Sequence, residues 1–133
     1  MKDSIALAGS KNNSIFWSMM LNLDEFNTHI IETETPEEIL AELQNLQGSP
    51  QALLISVDYP AQSVVPVLRE LAATADINVI AVTTGSNYDL EVAVRTAGIF
   101  YYLTLPNEMD RMSRVVECAL GENSTHNQGK PYV

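Results

Sequence analysis

The chain has 133 residues, of which 46% are hydrophobic, and its formal net charge at neutral pH is -10. This length fits one domain with its own core, and the apolar fraction is too high for a largely disordered chain. No apolar run approaches the roughly 20 residues of a membrane-spanning helix, and no signal-peptide core is found, so we expect a cytoplasmic domain. The single cysteine, Cys118, excludes an internal disulfide and a cysteine zinc cluster.

The charge is unevenly distributed along the chain. Seventeen acidic residues stand against seven basic ones, and no Lys or Arg occurs from Asn12 through Leu68. Such a surface would repel a phosphate backbone, because nucleic-acid binding needs clustered cations. We therefore expect no direct nucleic-acid binding, and solubility is the simplest role for the acidity.

Short apolar runs alternate with segments of helical periodicity in the first half of the chain. The run Ile5–Ala8 predicts a buried strand, and the helix that follows is capped by Asn13 or Ser14. Phe26–Ile31 predicts a second strand. The next helix starts with Thr35 as its N-cap, because a proline and a glutamate follow at the positions that favour a helix start.

The second half continues the alternation. Ala52–Val57 is apolar on both faces, which is typical of a central parallel strand. The third helix contains Pro66, a residue that is tolerated only in the first turn of a helix. Strands over Asn78–Val82 and Tyr101–Leu105 flank the fourth helix, and Asn107 is expected to cap the last one.

Five repeats of strand and helix predict an α/β fold, a five-stranded parallel sheet with helices on both faces. For five strands we expect the flavodoxin-like order 2-1-3-4-5, with the functional crevice above the carboxyl ends of strands 1, 3 and 4. Residues 1–121 form this domain. Residues 122–133 are polar and without periodicity, and they predict a tail or linker.

The spacing of the second half resembles that of the receiver domain of bacterial response regulators. Receivers carry a Thr or Ser at the end of strand 4, a Gly fifteen residues later, an aromatic residue four beyond that, and then a Lys-Pro pair. This chain has Thr83, Gly98, Tyr102 and Leu105–Pro106 at those positions, and Pro60 matches the proline that follows the receiver phosphorylation site. The resemblance implies the (β-α)5 receiver fold and a cis peptide bond between Leu105 and Pro106.

The charged members of the receiver phosphorylation site are missing. Counting back from Pro60 puts Ser56 at the position of the phosphorylated aspartate. The acidic pair that holds a divalent metal falls on Gly9 and Ser10, and the phosphoryl-binding Lys on Leu105. Without these groups neither metal binding nor phosphoryl transfer is expected, so we predict no enzyme activity, no metal and no cofactor.

Two residues of the receiver switch are present, and they indicate a partner surface. In receivers the residues at the positions of Thr83 and Tyr102 move together and reshape the surface of helix 4, strand 5 and helix 5. A half-buried aromatic side chain on an edge strand is the simpler explanation for Tyr102. Uncovered apolar residues on an edge strand favour association, and cations on the flanking helices could set its register. The candidate surface comprises Tyr101, Leu103, Arg95, Arg111 and Arg114.

We interpret the chain as a degenerate, non-phosphorylatable receiver. It acts by binding a protein partner or a second copy of itself, with dimerisation through helix 4, strand 5 and helix 5. The resemblance further implies that the polar tail leads to an output module in a longer regulator, such as a transcription activator or an assembly ATPase.

Two other interpretations remain open. The loop Gly9–Ser14, through Ser10, Lys11 and Ser14, could bind phosphate, a nucleotide or another anion and make the domain a small-ligand sensor. Alternatively, phosphorylation could occur at Asp58, as a shifted acceptor, or at Ser56. A solvated loop carboxylate, or a cap of the following turn, is the simpler explanation for that aspartate.

Overall fold

Strands and helices alternate throughout the described part of the chain. The computed structural model describes residues 4–46, 50–74, 77–85 and 87–121. These ranges contain, in chain order, β1 (Ser4–Ser10), α1 (Ser14–Met20), β2 (Asn27–Thr33), α2 (Glu37–Gln44), β3 (Ala52–Ser56), α3 (Ala61–Thr74), β4 (Asn78–Thr83), α4 (Tyr88–Arg95), β5 (Tyr101–Thr104) and α5 (Met112–Gly121). Short 3-10 turns at Leu21–Leu23 and Met109–Arg111 precede β2 and α5. None of the helices so described is long and apolar enough to cross a lipid bilayer.

The five strands form one parallel sheet in the order β2-β1-β3-β4-β5. A helix connects each strand to the next, as parallel pairing requires. β2 lies on one side of β1, whereas β3, β4 and β5 follow on the other side, so the strand order changes direction next to β1. The crevice of such a fold lies at this point, above the carboxyl ends of the strands. The predicted flavodoxin-like fold and the order 2-1-3-4-5 are confirmed.

Alternate side chains of the strands supply two cores, one on each face of the sheet. On one face Ile5 and Leu7 of β1 pack with α1 and α5. On the other face Ala6 and Ala8 pack with α2, α3 and α4. β3 is buried along its full length because it has helices on both sides. This two-sided burial fixes the register of the strands and hence the positions of the residues at their carboxyl ends.

The predicted helix starts in the first half are close to those observed. Asn13 caps α1, because its Oδ1 accepts a hydrogen bond from the backbone N–H of Phe16 at 3.1 Å. The N-cap of α2 is Pro36, one residue after the predicted Thr35. Glu38 Oε1 accepts a hydrogen bond from the Thr35 N–H at 3.2 Å, which lowers the pKa of the Glu38 carboxyl below its ordinary value.

Two predictions about the later helices are wrong. Pro66 is the sixth residue of α3, where it has no N–H to donate to the carbonyl of Gln62. α3 continues through it because the residues on either side of the proline are buried in the core. Asn107 caps no helix. The N-cap of the 3-10 turn before α5 is Glu108 instead, and Glu108 Oε1 accepts a hydrogen bond from the backbone N–H of Thr104 at 2.8 Å.

The chain reverses sharply between α4 and β5. Gly98 has a φ of 92°, in the left-handed region that glycine adopts without strain. A Cβ atom there would also lie 3.3 Å from Cβ of Ala72. Beyond β5 the Leu105–Pro106 peptide bond is cis, as the resemblance implies. Residues 122–133, predicted to form a tail or linker, lie outside the described residues.

Candidate functional site

The carboxyl ends of β1, β3 and β4 meet at the predicted crevice. Gly9 and Ser10 end β1, Ser56 ends β3, and Thr83 ends β4. Ser56 is 1% exposed and Thr83 is 3% exposed, so their hydroxyls need hydrogen-bond partners within the protein. Leu105 directly follows β5 and donates its backbone N–H to the Thr83 carbonyl at 2.8 Å, so the fold brings together all five positions at which the sequence predicts a degenerate phosphorylation site.

Neighbouring side chains fill the space beside Gly9. A Cβ atom on Gly9 would lie 2.9 Å from Cε2 of the Phe16 ring and 3.2 Å from Cβ of Ser56. Phe16 is completely buried, so its ring cannot move aside without disturbing the core. A carboxylate at position 9 has no room in this packing. Within the described ranges, no group of three His, Cys, Asp or Glu side chains is placed to hold a metal ion.

The polar groups of the loop after β1 bond largely to one another. The indole N–H of Trp17 donates to the Ser10 carbonyl at 2.8 Å, and the backbone N–H of Asn12 donates to Ser10 Oγ at 3.3 Å. Lys11 and Ser14, the other two side chains of the predicted anion site, are exposed. These bonds use the Ser10 carbonyl and Ser10 Oγ as acceptors, so the proton of the Ser10 hydroxyl remains able to donate.

The Ser56 hydroxyl accepts hydrogen bonds from the Asn13 side chain and from the backbone of Asp58. Asn13 Nδ2 donates to Ser56 Oγ at 3.4 Å, and the backbone N–H of Asp58 donates to the same oxygen at 3.3 Å. Both contacts use the serine oxygen as an acceptor, and neither partner is a base that could take its proton. A serine hydroxyl without an adjacent base is a poor nucleophile.

The carboxylate of Asp58 bonds to the end of the neighbouring strand. Asp58 Oδ1 accepts a hydrogen bond from Thr83 Oγ1 at 2.9 Å. Asp58 Oδ2 accepts from both the backbone N–H and the hydroxyl of Thr84, at 3.2 Å and 2.8 Å. Asp58 is exposed, in agreement with a solvated loop carboxylate, and these bonds join it to the end of β4 and not to its own turn. The signal available in the sequence was the pair of threonines that follows β4, since the ends of paired parallel strands lie side by side.

Thr83 also connects to β5. Its carbonyl oxygen accepts a hydrogen bond from the backbone N–H of Leu105 at 2.8 Å, and its Oγ1 accepts one from the backbone N–H of Gly85 at 3.1 Å. Tyr102 is only 5% exposed, so its hydroxyl lies inside the protein and not in water. The half-buried, water-exposed tyrosine that the simpler explanation requires is therefore not observed.

The outer side of the Tyr102 ring is covered by α4. The guanidinium carbon of Arg95 lies 5.1 Å from the ring centroid, and Arg95 Nε bonds to Glu91 Oε2 at 2.9 Å. Burial raises the pKa of the Tyr102 phenol above its ordinary value, and the Glu91 carboxylate raises it further. The phenol is thus protonated at neutral pH.

Leu103 and Leu105 belong to the core and not to a surface. Leu103 is 0% exposed and Leu105 is 1% exposed, both in the core that α1 and α5 cover. The prediction that Leu103 forms part of a partner surface is therefore wrong, because α5 covers that face of β5. Leu105, the position that carries Lys in receivers, packs with Met112 and Val116 of α5 in the same core.

The exposed apolar side chains of this region lie on α4. Tyr88 is 76% exposed and Val92 is 43% exposed. They are four residues apart, so they share one face of the helix, while Leu90 and Val94 face the core. Neither residue belongs to the partner surface predicted from the sequence. In the sequence, Tyr88 and Val92 form an apolar pair at helical spacing outside the buried stripe of α4, and this pattern indicates an exposed apolar face.

Arg95 and Arg111 of the candidate surface each pair with a nearby glutamate. Arg111 Nη1 lies 3.3 Å from Glu108 Oε2, and the hydrogen bond of its guanidinium with the Tyr101 side chain raises the Arg111 pKa above its ordinary value. Tyr101 is partly buried against the α5 side, and Arg114 on α5 is exposed. Together with Tyr88 and Val92, these side chains define what we call the α4–β5–α5 face.

The fold is similar to that of many solved receiver domains, although the sequence matches no protein-family model and no curated protein. A response regulator from Thermotoga maritima aligns with a TM-score of 0.69 at 17% identity, covering 91% of this chain and 99% of the other. A CheY-like response regulator receiver domain protein from Methanospirillum hungatei JF-1 aligns with a TM-score of 0.71 at 18% identity, covering 93% and 98%.

A third similar structure is the signal receiver domain of a diguanylate cyclase from Desulfovibrio desulfuricans G20. It aligns with a TM-score of 0.73 at 16% identity, covering 95% of this chain and 99% of the other. At identities this low the similarity establishes the fold, and function must be argued from the site. The chain has the fold of response regulator receiver domains, as its resemblance implies.

Proposed function

We propose that the chain is a receiver-like signalling domain that works without phosphorylation, through contacts with protein. The observation that carries this proposal is the packing at Gly9, where the Phe16 ring lies 2.9 Å from the position of a Cβ atom. A receiver places the first carboxylate of its metal-binding pair there. Here the Phe16 ring occupies that space, so a side chain at position 9 would require a completely buried residue to shift.

The remaining groups of the crevice support the same conclusion. Phosphoryl transfer to a carboxylate depends on cations that neutralise the charge on the transferred group. Leu105 replaces the cation of the receiver site and is buried among apolar side chains of α5. Ser56 faces an amide donor, and both oxygens of Asp58 accept hydrogen bonds from Thr83 and Thr84. The domain therefore needs no enzyme activity, metal or cofactor for the role proposed.

The α4–β5–α5 face is the proposed interaction surface, and a second copy of this chain is the proposed partner. It combines an exposed apolar pair, Tyr88 and Val92, with the ion pairs that Arg95 and Arg111 make nearby. Apolar side chains with a rim of charged groups are typical of protein–protein contacts. The net charge of -10 argues against nucleic acid as the partner.

The wider context of the domain is also a proposal. A receiver-like domain of this kind acts as the input domain of a larger cytoplasmic regulator, and residues 122–133 would connect it to an output module. The diguanylate cyclase receiver from Desulfovibrio desulfuricans G20 is one similar structure whose name includes such a further activity.

Exposure to a phosphoryl donor tests the proposal. The full chain is incubated with acetyl phosphate and Mg²⁺ beside a receiver that has the acidic pair and the Lys, and both are analysed by intact mass and by peptide mapping. We expect the control receiver to be modified and this chain to remain unmodified. An acyl phosphate on Asp58, or a phosphate ester on Ser56, would overturn the proposal.

A further inference from the structure

We propose that the outer edge of β2 is a docking site for an extended, basic segment of another protein, which adds a further strand to the sheet. The observations behind this inference are an unpaired row of backbone groups, an exposed apolar side chain on the strand and acidic surroundings. The outer edge of β2 is separate from the α4–β5–α5 face, so the inference goes beyond the proposed function and does not depend on it.

β2 is an edge strand that is paired on one side only. It pairs with β1 over all seven residues, Asn27–Thr33, and it is the last strand on its side of the sheet. Alternate residues of a parallel strand direct their backbone N–H and C=O groups toward opposite sides. Among the described residues, no backbone hydrogen bond is made to the outer side of β2. A strand from another chain can therefore bond to these groups.

β2 is a regular template along its full length. Proteins protect exposed edges with prolines, bulges, charges or very short strands. β2 contains no proline, and its register with β1 runs without a bulge. The opposite edge differs, because β5 has only four residues and Pro106, which has no N–H to pair, follows soon after it. Of the two edges, β2 is thus the one that suits an added strand.

The charge around β2 specifies the occupant. Exposed carboxylates lie on the strand and next to both of its ends, at Asp24, Glu25, Glu32 and Glu34. No Lys or Arg occurs from Asn12 through Leu68, a stretch that includes α1 and α2 on the two faces beside β2. A second copy of β2 would add like charges, which are destabilising across strands. The complementary occupant is a strand that carries Lys or Arg.

The side chains on one face of β2 define the pattern of that strand. Ile30 is 55% exposed, and its register partner Leu7 places it on the face that α1 covers. Glu32 lies on the same face, two residues further along. The neighbouring Ile31 faces the other way and is 2% exposed in the core with α2. A matching strand therefore has an apolar residue opposite Ile30 and a cation two positions away.

Amide NMR of the isotope-labelled full chain tests the inference with a synthetic peptide, Thr-Lys-Thr-Val-Thr-Lys-Thr, which has the length of β2. In either strand direction it can place valine opposite Ile30 and a lysine opposite Glu32. We expect saturable shifts of alternate amide signals along β2, since the outward N–H groups become hydrogen-bonded. The same peptide methylated at its backbone nitrogens keeps the charge but cannot pair, and it should cause no such shifts.

Charge reversal separates pairing at β2 from general attraction to an acidic protein. Glu32→Lys should weaken binding of the lysine peptide about tenfold, because an opposite-charge pair across the strands becomes a like-charge pair. Glu117→Lys makes the same change in net charge at an exposed position on α5, so it is the matched control and should leave binding unchanged. Ile30→Lys should weaken binding as Glu32→Lys does. All three positions are exposed, so we expect the variants to fold.

Absence of binding, shifts confined to residues outside β2, or equal weakening by Glu32→Lys and Glu117→Lys would overturn the inference. Outward β2 amides that are protected from hydrogen exchange in the free chain would also overturn it. Protection at every concentration would show that another segment of this chain covers the edge, and protection that grows with concentration would show that a second copy does. These results leave the proposed function intact, because it depends on phosphate incorporation and on the α4–β5–α5 face.

Discussion

Arg95 on α4 and Tyr102 on β5 form a cation–π contact, with the guanidinium carbon 5.1 Å from the ring centroid. The contact covers the outer side of a side chain that is only 5% exposed. Tyr102 is therefore enclosed by the protein, and its surroundings differ strongly from those of a tyrosine in the unfolded chain. This difference has a measurable consequence at alkaline pH.

Stability should fall as the pH rises above 10, and Tyr102→Phe should reduce that fall. Burial is the main cause that raises the Tyr102 pKa above the ordinary value of 10.0, and the carboxylate of Glu91 adds to it. In the unfolded chain the phenol loses its proton near pH 10, whereas in the folded chain it keeps it. The contribution of the Tyr102 phenol to the free energy of unfolding is therefore fully present below pH 10 and is lost as the pH rises above it. Burial also raises the pKa of Tyr59 above its ordinary value.

Urea unfolding from neutral pH to above pH 10 measures this effect. The wild-type chain should lose more stability over this range than Tyr102→Phe, and Tyr59→Phe should give a second, separate reduction. Parallel pH profiles for the wild type and Tyr102→Phe would contradict the burial of this phenol.

Gly9→Ala should destabilise the protein, while Gly85→Ala should not. The new methyl group at position 9 would meet the Phe16 ring at 2.9 Å, and overpacking of this kind costs about 1–3 kcal/mol. At Gly85 no atom lies within 4 Å of the added carbon, and its φ is not positive. Denaturant unfolding of both variants measures the difference. Combining Gly9→Ala with Phe16→Leu should recover part of the loss, and equal stability of the two glycine variants would contradict the packing described.

The order of the strands could be predicted from the sequence because it depends on features that repeat along the chain. β3 is apolar on both faces, and each helix has one buried stripe, so the alternation alone indicates a parallel sheet with two helical layers. The interruption at Pro66 could not be judged in the same way. Its tolerance depends on how well α3 is held by the core around it, which no local pattern reports.

The site was predictable in position but not in its contacts. Spacing placed Gly9, Ser56 and Thr83 at the crevice, and the strand ends bring them there. The bond from Thr83 to Asp58 joins residues 25 positions apart and depends on a loop conformation that the sequence does not fix. The edge position of β5 predicts that Leu103 lies at the surface. An edge strand, however, leaves only its backbone hydrogen-bonding groups unpaired, and α5 covers the Leu103 side chain.

Leu105→Lys should reduce stability without enabling phosphorylation. Leu105 is 1% exposed within the core under α5, and an ammonium group buried there has no charge partner among the apolar residues that surround it. Leu105→Met is the matched control, since a volume-conserving change costs less than about 1.5 kcal/mol. Thermal unfolding compares the two variants. Incubation with acetyl phosphate and Mg²⁺ should leave both unmodified, because the space at Gly9 stays closed. Robust phosphoryl uptake by Leu105→Lys alone would contradict the mechanism.

Tyr88→Asp should abolish self-association through the α4–β5–α5 face. The side chain is 76% exposed in the first turn of α4, where an added negative charge is compatible with the helix dipole, so folding should be unaffected. A charge at the centre of an apolar contact would instead be buried in the complex without a partner. Val92→Asp, on the same face of α4, should have the same effect.

Ile15→Asp and Ile30→Asp are the controls for this prediction. Both isoleucines are exposed, at 58% and 55%, but they lie on α1 and β2, away from the face proposed. Light scattering after size-exclusion chromatography measures the association of each full-length variant over a range of concentrations. We expect dimers for the wild type and both controls, and monomers for Tyr88→Asp. Dimers that persist in Tyr88→Asp but not in Ile30→Asp would place the contact at β2, and a wild type that stays monomeric would exclude a second copy as the partner.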